Sequence, residues 1–150
     1  METRPREAEA RSSLPGPLPD ELPARLEAAA AGLFYVSETE APFRYVAFPG
    51  AGGQALERER LRALLALPAE TPVAELPAER FFAPLVEPSD PNDPVAVENA
   101  GRFRSLHETL ATQLTGLRAF RVGRAEVRYY LLGATAAGDV AGLATEATET

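Results

Sequence analysis

Cysteine and tryptophan are absent from these 150 residues, and histidine and methionine occur once each. Without cysteine there is no disulfide framework, no thiolate nucleophile and no Cys-ligated zinc. A single histidine argues against a His-built metal centre and against a Ser–His relay. Lysine and isoleucine are missing too, so all fifteen basic residues are arginine. Both missing residues use A-rich codons. That reads as a GC-rich genome, and arginine at any one position carries little information. Positive charge is in deficit: 22 acids against 15 arginines leave a net charge of −7. Nucleic-acid binding needs a basic stripe to neutralise phosphates, so a direct nucleic-acid partner is not expected. A charged partner, if there is one, should be basic.

Long apolar runs are lacking as well. Nothing approaches the ~20 apolar residues of a membrane span. The closest, residues 28–36, is short and interrupted by Gly32. The first eleven residues alternate charge (Glu2, Arg4, Arg6, Glu7, Glu9, Arg11) without the apolar core of a secretory signal. No membrane association and a cytoplasmic location are therefore the expectation. At 45% hydrophobic and 25% charged, the chain has the composition of one globular domain, and its length agrees with ~100–200 residues per domain.

Residues 1–18 are polar, then proline-rich, and read as a flexible N-terminal extension ahead of a domain over residues 19–150. Asp20 is placed to cap a helix carrying Leu22, Leu26, Ala29, Ala30 and Leu33 on one side, with Pro23 in the first turn and Gly32 at its end. An apolar run, residues 33–36, leads to an acidic loop, residues 37–40. Alternation over residues 43–48 predicts a strand. Residues 50–53 are a Gly-rich turn, and leucines at 56, 61, 64, 65 and 67 place a helix over residues 54–67, stopped by Pro68. Residues 71–76 form a short strand or loop. Residues 77–82 are a helical turn that offers Phe81 and Phe82 to the core. After an acidic, proline-punctuated loop (residues 87–94), Phe103, Leu106, Leu110, Leu114 and Leu117 mark a long helix, with Gly116 as its terminator. The remainder is β: residues 119–122, 125–132 and 140–148, with a hairpin turn at residues 137–139. The order predicts an α+β fold with helices packed on a sheet.

No constellation here carries chemistry well. The glycines at 50, 52 and 53 lack the Lys-Ser/Thr end of a phosphate loop and the full dinucleotide pattern. His107 borders the apolar stripe of the long helix and reads as structural. Glu38 and Glu40, two apart in an exposed loop, lack the apolar cage that would raise one pKa for acid–base work. The chain is therefore not expected to be an enzyme or to hold a cofactor or metal of its own. The ending Thr145-Glu146-Ala147-Thr148-Glu149-Thr150 follows directly on the last strand and offers carboxylates and a hydroxyl, hard oxygen ligands suited to Mg²⁺.

The segment Leu33-Phe34-Tyr35-Val36-Ser37-Glu38-Thr39-Glu40-Ala41-Pro42-Phe43 resembles the Ser-Glu-Ser-Glu region of the nuclease A inhibitor family. Residues 102–150 are similar throughout, including Phe120-Arg121-Val122-Gly123, Leu131-Leu132-Gly133, Thr135-Ala136-Ala137-Gly138 and Ala141-Gly142-Leu143-Ala144-Thr145, with Glu149-Thr150 in register. The resemblance covers residues 20–150 and is weakest between 50 and 80. It implies a three-layer α/β/α sandwich with a mixed, largely antiparallel sheet, similar to the plant pathogenesis-related protein class 1 fold. It also implies an inhibitor of a sugar-nonspecific, Mg²⁺-dependent ββα-metal endonuclease, monomeric when free. In that family a loop glutamate, an Asp-Trp pair before the long helix and the terminal threonine face the enzyme. Here these positions are Glu38, Asp90-Pro91 and Thr150, with Glu40 and Glu149 beside them, and Thr150 would approach the nuclease's metal. Pro91 replaces the tryptophan. Losing such an aromatic anchor costs ~2 kcal/mol or more of interface energy. A nuclease cleft is basic, so acidic segments 37–40, 87–93 and 146–150 would take the place of phosphates. For that they must lie on one face.

Overall fold

The computed structural model describes residues 21–149; the extension over residues 1–18, the Asp20 cap and Thr150 lie outside them. The described elements are α1 (Leu22–Ala30), β1 (Phe34–Val36), β2 (Glu40–Pro42), β3 (Arg44–Phe48), a 3₁₀ turn (Ala51–Gly53), α2 (Arg58–Leu64), β4 (Val73–Pro77), α3 (Ala78–Phe82), α4 (Pro94–Gln113), β5 (Thr115–Gly123), β6 (Glu126–Ala134) and β7 (Val140–Thr148). Five strands form one sheet in the order β3-β7-β6-β5-β4, and β1 and β2 form a separate hairpin. Every pairing between described strands is antiparallel. The sheet is thus antiparallel throughout rather than mixed, because the strands are joined by hairpins or by returns that reverse direction.

The β6–β7 ladder is central. It runs from Glu126↔Thr148 to Ala134↔Val140 without a break. Alternate side chains of a strand point to opposite faces, and both faces here are covered. Val127, Tyr129, Leu131, Ala141, Leu143 and Ala147 pack in one cluster with Leu26, Phe81, Phe82, Phe103, Leu106 and Leu110, contributed by α1, α3 and α4. Tyr130, Leu132, Val140 and Ala144 pack in a second cluster with Ala51, Leu56 and Leu61. Two-faced burial is why residues 129–132 are all buried, beyond the alternate positions of one face. Gly142 is the closest point in this ladder: a Cβ there would lie 1.7 Å from the Leu131 carbonyl oxygen.

The helices follow their signals with local differences. Pro23 sits in the first turn of α1, and Gly32, at φ +77°, follows its end. At α4, the Asp93 carboxylate accepts the Val95 N–H at 3.0 Å and Pro94 opens the first turn, the standard arrangement for a helix start. His107 stacks on Phe82 with ring centroids 4.6 Å apart, a packing role. The helix expected over residues 54–67 spans only Arg58–Leu64. The Gly52 N–H is tied to the Gly138 carbonyl at 2.9 Å, which holds the preceding turn against the β6–β7 hairpin and leaves residues 54–57 extended. Gly116 does not terminate α4. Leu114 is already extended and buried, Leu117 lies in β5, and Gly116, at φ +67°, falls where the β5–β6 register shifts, at a bulge.

Two glycine substitutions read this packing in opposite directions. Gly142→Ala forces a methyl into the Leu131 backbone and should lower the thermal midpoint severely or prevent folding. Gly101→Ala meets nothing within 4 Å inside α4 and should raise stability by ~0.5–1 kcal/mol. Thermal unfolding of both variants checks the pair.

Candidate functional site

β3 covers β7 only as far as Arg44↔Ala144, which leaves the last residues of β7 with a bare edge. The β1–β2 hairpin takes that edge. Its register, Phe34↔Pro42 and Val36↔Glu40, leaves Ser37, Glu38 and Thr39 as the loop. The Ser37 N–H donates to the Thr39 carbonyl at 2.7 Å, closing the turn. The Thr148 N–H donates to Ser37 Oγ at 3.0 Å, and the Glu38 N–H donates to the Thr148 carbonyl at 3.3 Å. At the other end of β2, the buried Thr145 hydroxyl donates to the Pro42 carbonyl at 3.0 Å. Small hydroxyl residues therefore stitch the hairpin to the end of β7. Glu38 and Glu40 are both exposed there, with Glu38 at the loop tip beside Thr148.

Glu149 is held from several sides. Its carboxylate accepts from Arg121 Nη2 at 2.8 Å and Nε at 3.3 Å, and from the Tyr129 hydroxyl at 2.8 Å. Its N–H donates to the Ala125 carbonyl at 2.7 Å. Burial alone would raise the Glu149 pKa. The hydrogen bonds from Arg121 and Tyr129 and the Arg121 charge outweigh it and hold the carboxyl below its ordinary value. The Tyr129 hydroxyl shifts upward, through burial and through donation to Glu149. Glu149 thus faces the protein itself and fixes the direction in which the chain leaves β7. Sequence reasoning missed this clamp: Arg121 is one of fifteen arginines, and its partner lies 28 residues away.

Asp90 and Pro91 are exposed in the loop ahead of α4. One Asp90 carboxylate oxygen accepts the Asn92 N–H at 2.9 Å, and its carbonyl accepts the Asp93 N–H at 3.0 Å. The loop is pinned at its start by Arg104, which donates to the Val86 carbonyl at 3.0 Å. Glu87 and Ser89 line the same shallow groove as Phe34 and Val36 of β1. The strand β1, which leads into the Glu38 loop, and the loop that carries Asp90 therefore border one groove, and the hairpin is fastened to the end of β7. A larger groove of about 790 Å³ lies elsewhere, among Glu57, Glu59, Glu75 and Arg118, and none of the candidate residues line it. Among the described residues no three acidic or histidine side chains form a metal site, and no helix is long and apolar enough to cross a membrane.

The molecule at this point is an α+β protein whose acidic hairpin is fastened to the end of its last strand. The family model described as NuiA, nuclease A inhibitor-like protein, matches residues 20–150, and the chain belongs to that family. No curated protein matches the chain. Membership supports an inhibitor-type role with a protein partner, and it accounts for the resemblance carried by the Ser37-Glu38-Thr39-Glu40 segment and residues 102–150.

Removing the Ser37 hydroxyl should loosen the hairpin selectively. Ser37→Ala leaves the Thr148 N–H without its acceptor, at a cost of ~1 kcal/mol, and should speed amide exchange at Thr148 and Glu38 while core strands keep their protection. Glu149 gives a pH signature. Because its folded pKa is depressed, its contribution is present above the ordinary value of 4.5 and is lost as pH falls through the lower, folded one. Glu149→Gln should therefore flatten this acid limb in urea-denaturation midpoints measured from neutral to low pH.

Proposed function

We propose that this chain is a proteinaceous inhibitor of a sugar-nonspecific, Mg²⁺-dependent ββα-metal endonuclease, acting by steric and electrostatic blockade without chemistry of its own. The observation that carries this reading is the fastening of the Glu38 loop to Thr148, two residues from the C-terminal Thr150, in a member of the nuclease A inhibitor-like family. Glu38, Glu40 and Asp90 would pair with arginines or lysines flanking the cleft, and Pro91 would meet the enzyme at the loop apex. Thr150 would approach the nuclease's Mg²⁺ or its bound water. Glu149 would orient Thr150 from behind through Arg121 and Tyr129. The net charge of −7 favours association with a phosphate-binding cleft and speeds it.

The same reading carries the finer points of the architecture and setting. A three-layer α/β/α arrangement akin to the pathogenesis-related protein class 1 fold is supported by the two apolar clusters on alternate faces of the sheet. The domain would comprise residues 19–150, act as a cytoplasmic monomer when free, and need no cofactor. Pro91 favours one second reading: an interaction domain of the same fold that no longer binds a nuclease, because the family's aromatic anchor is missing.

Plasmid digestion by the host's ββα-metal nuclease, titrated with this protein, separates the two. Stoichiometric protection, weakened by deleting Thr150 alone, is the expected result. Protection that survives the deletion keeps the inhibitor and removes Thr150 from the active site. No protection supports the interaction domain.

A further inference from the structure

The core-facing stripe of α4 also lines a surface groove at its N-terminal end. Leu106 and Leu110, farther along the helix, are fully buried. On the same face nearer the N-terminus, Ala96, Ala100 and Phe103 line an open groove of about 170 Å³. Phe34 and Val36 close it from the opposite side. They are two apart on β1 and so share a face, while Tyr35 between them packs into the core. Phe34 is 46% and Val36 64% exposed. A cavity of ~150 Å³ accommodates a benzene ring, so this groove has room for one large apolar side chain.

Its surroundings are acidic. Glu87 lines the groove, Glu38 follows Val36 by two residues, and Asp90 and Asp93 continue the loop from Ser89. Two arginines lie nearby, Arg102 donating to the Ala31 carbonyl and Arg104 to the Val86 carbonyl, so acids outnumber bases around the groove without excluding them. An apolar slot inside an acidic rim fits an apolar side chain that projects from a basic surface. It disfavours a second copy of this chain, whose own acidic rim would be repelled.

We propose that this groove seats one large apolar side chain presented by the basic surface of the inhibited nuclease, an inference that rests on the inhibitor reading. It supplies a buried anchor next to the acidic loops, where Pro91 offers none. A side chain seated there would lose its water on binding, and anchors of this kind dominate interface energetics.

Calorimetric titration of the full chain into the host's ββα-metal nuclease tests it. Ala96→Phe fills the groove without changing charge and should weaken binding about tenfold or more. Val97→Phe adds the same bulk to α4 outside the groove lining and should leave affinity within about twofold. Val36→Thr, at an exposed position, changes the wall from apolar to polar at nearly constant shape and should also weaken binding. Thermal midpoints of all three confirm that they fold. Binding unaffected by Ala96→Phe and Val36→Thr overturns the groove proposal alone. Absence of binding by the unsubstituted chain overturns the inhibitor reading and this inference with it. A self-associated state in sedimentation that Ala96→Phe abolishes would assign the groove to a second copy, and so would also overturn the proposal.

Discussion

The β6–β7 ladder is the constraint on which the rest of the structure depends. Its nine paired positions place apolar side chains alternately on two faces, and each face recruits its own cover. Neither strand could tolerate a one-residue slip, because that would exchange the two packed faces and put a side chain in place of Gly142 opposite Leu132, where only a glycine fits against the Leu131 carbonyl. Fully burying a Leu, Val or Phe side chain contributes ~1.5–3 kcal/mol. The register is therefore held by many such contributions at once. That rigidity extends to the end of β7, where the candidate site begins.

The structure at that end depends on small polar contacts rather than on more core. Beyond Ala144, β7 has no β3 beside it, and the hydroxyls of Ser37 and Thr145 take over the edge. Arg121 and Tyr129 then hold Glu149. The outcome is an acidic loop and Glu149 both tied to the end of the same strand. Charged groups held in place lose less entropy on binding than the same groups on mobile segments. A protein that must present acids to a basic cleft benefits from fixing them beforehand. In the proposed inhibitor, Glu149 would serve this purpose while paired with Arg121.

Where burial and local propensity agree, the sequence was legible. Leu22 and Leu26 on α1, Phe81 and Phe82 on α3, Phe103, Leu106 and Leu110 on α4, and the hairpin at residues 137–139 could all be read from spacing and turn chemistry. Reading failed where a long-range contact overrode a local signal. Gly116 looks like a helix terminator, but Leu114 is pulled into the core in extended form and the glycine serves a bulge instead. Leu56 shares helical spacing with 61 and 64, yet the contact between Gly52 and Gly138 holds the chain before α2, while Leu65 caps that helix and Ala66, at φ +54°, turns Leu67 out of it. At the site, Glu38, Glu40 and Asp90 were legible as exposed acids. The roles of Ser37 and Arg121 were not, since both partners lie far away in sequence: Thr148 is 111 residues from Ser37.

The central claim is that the hairpin loop, the loop before α4 and the end of β7 act as one binding face. Amide chemical-shift mapping of the isotopically labelled protein, titrated with the unlabelled nuclease, addresses it most directly. The account requires the largest changes at residues 37–40, 87–93 and 148–150, with the separate groove around Glu57, Glu75 and Arg118 unaffected. Changes centred on that separate groove, or confined to one of the three segments, would contradict it.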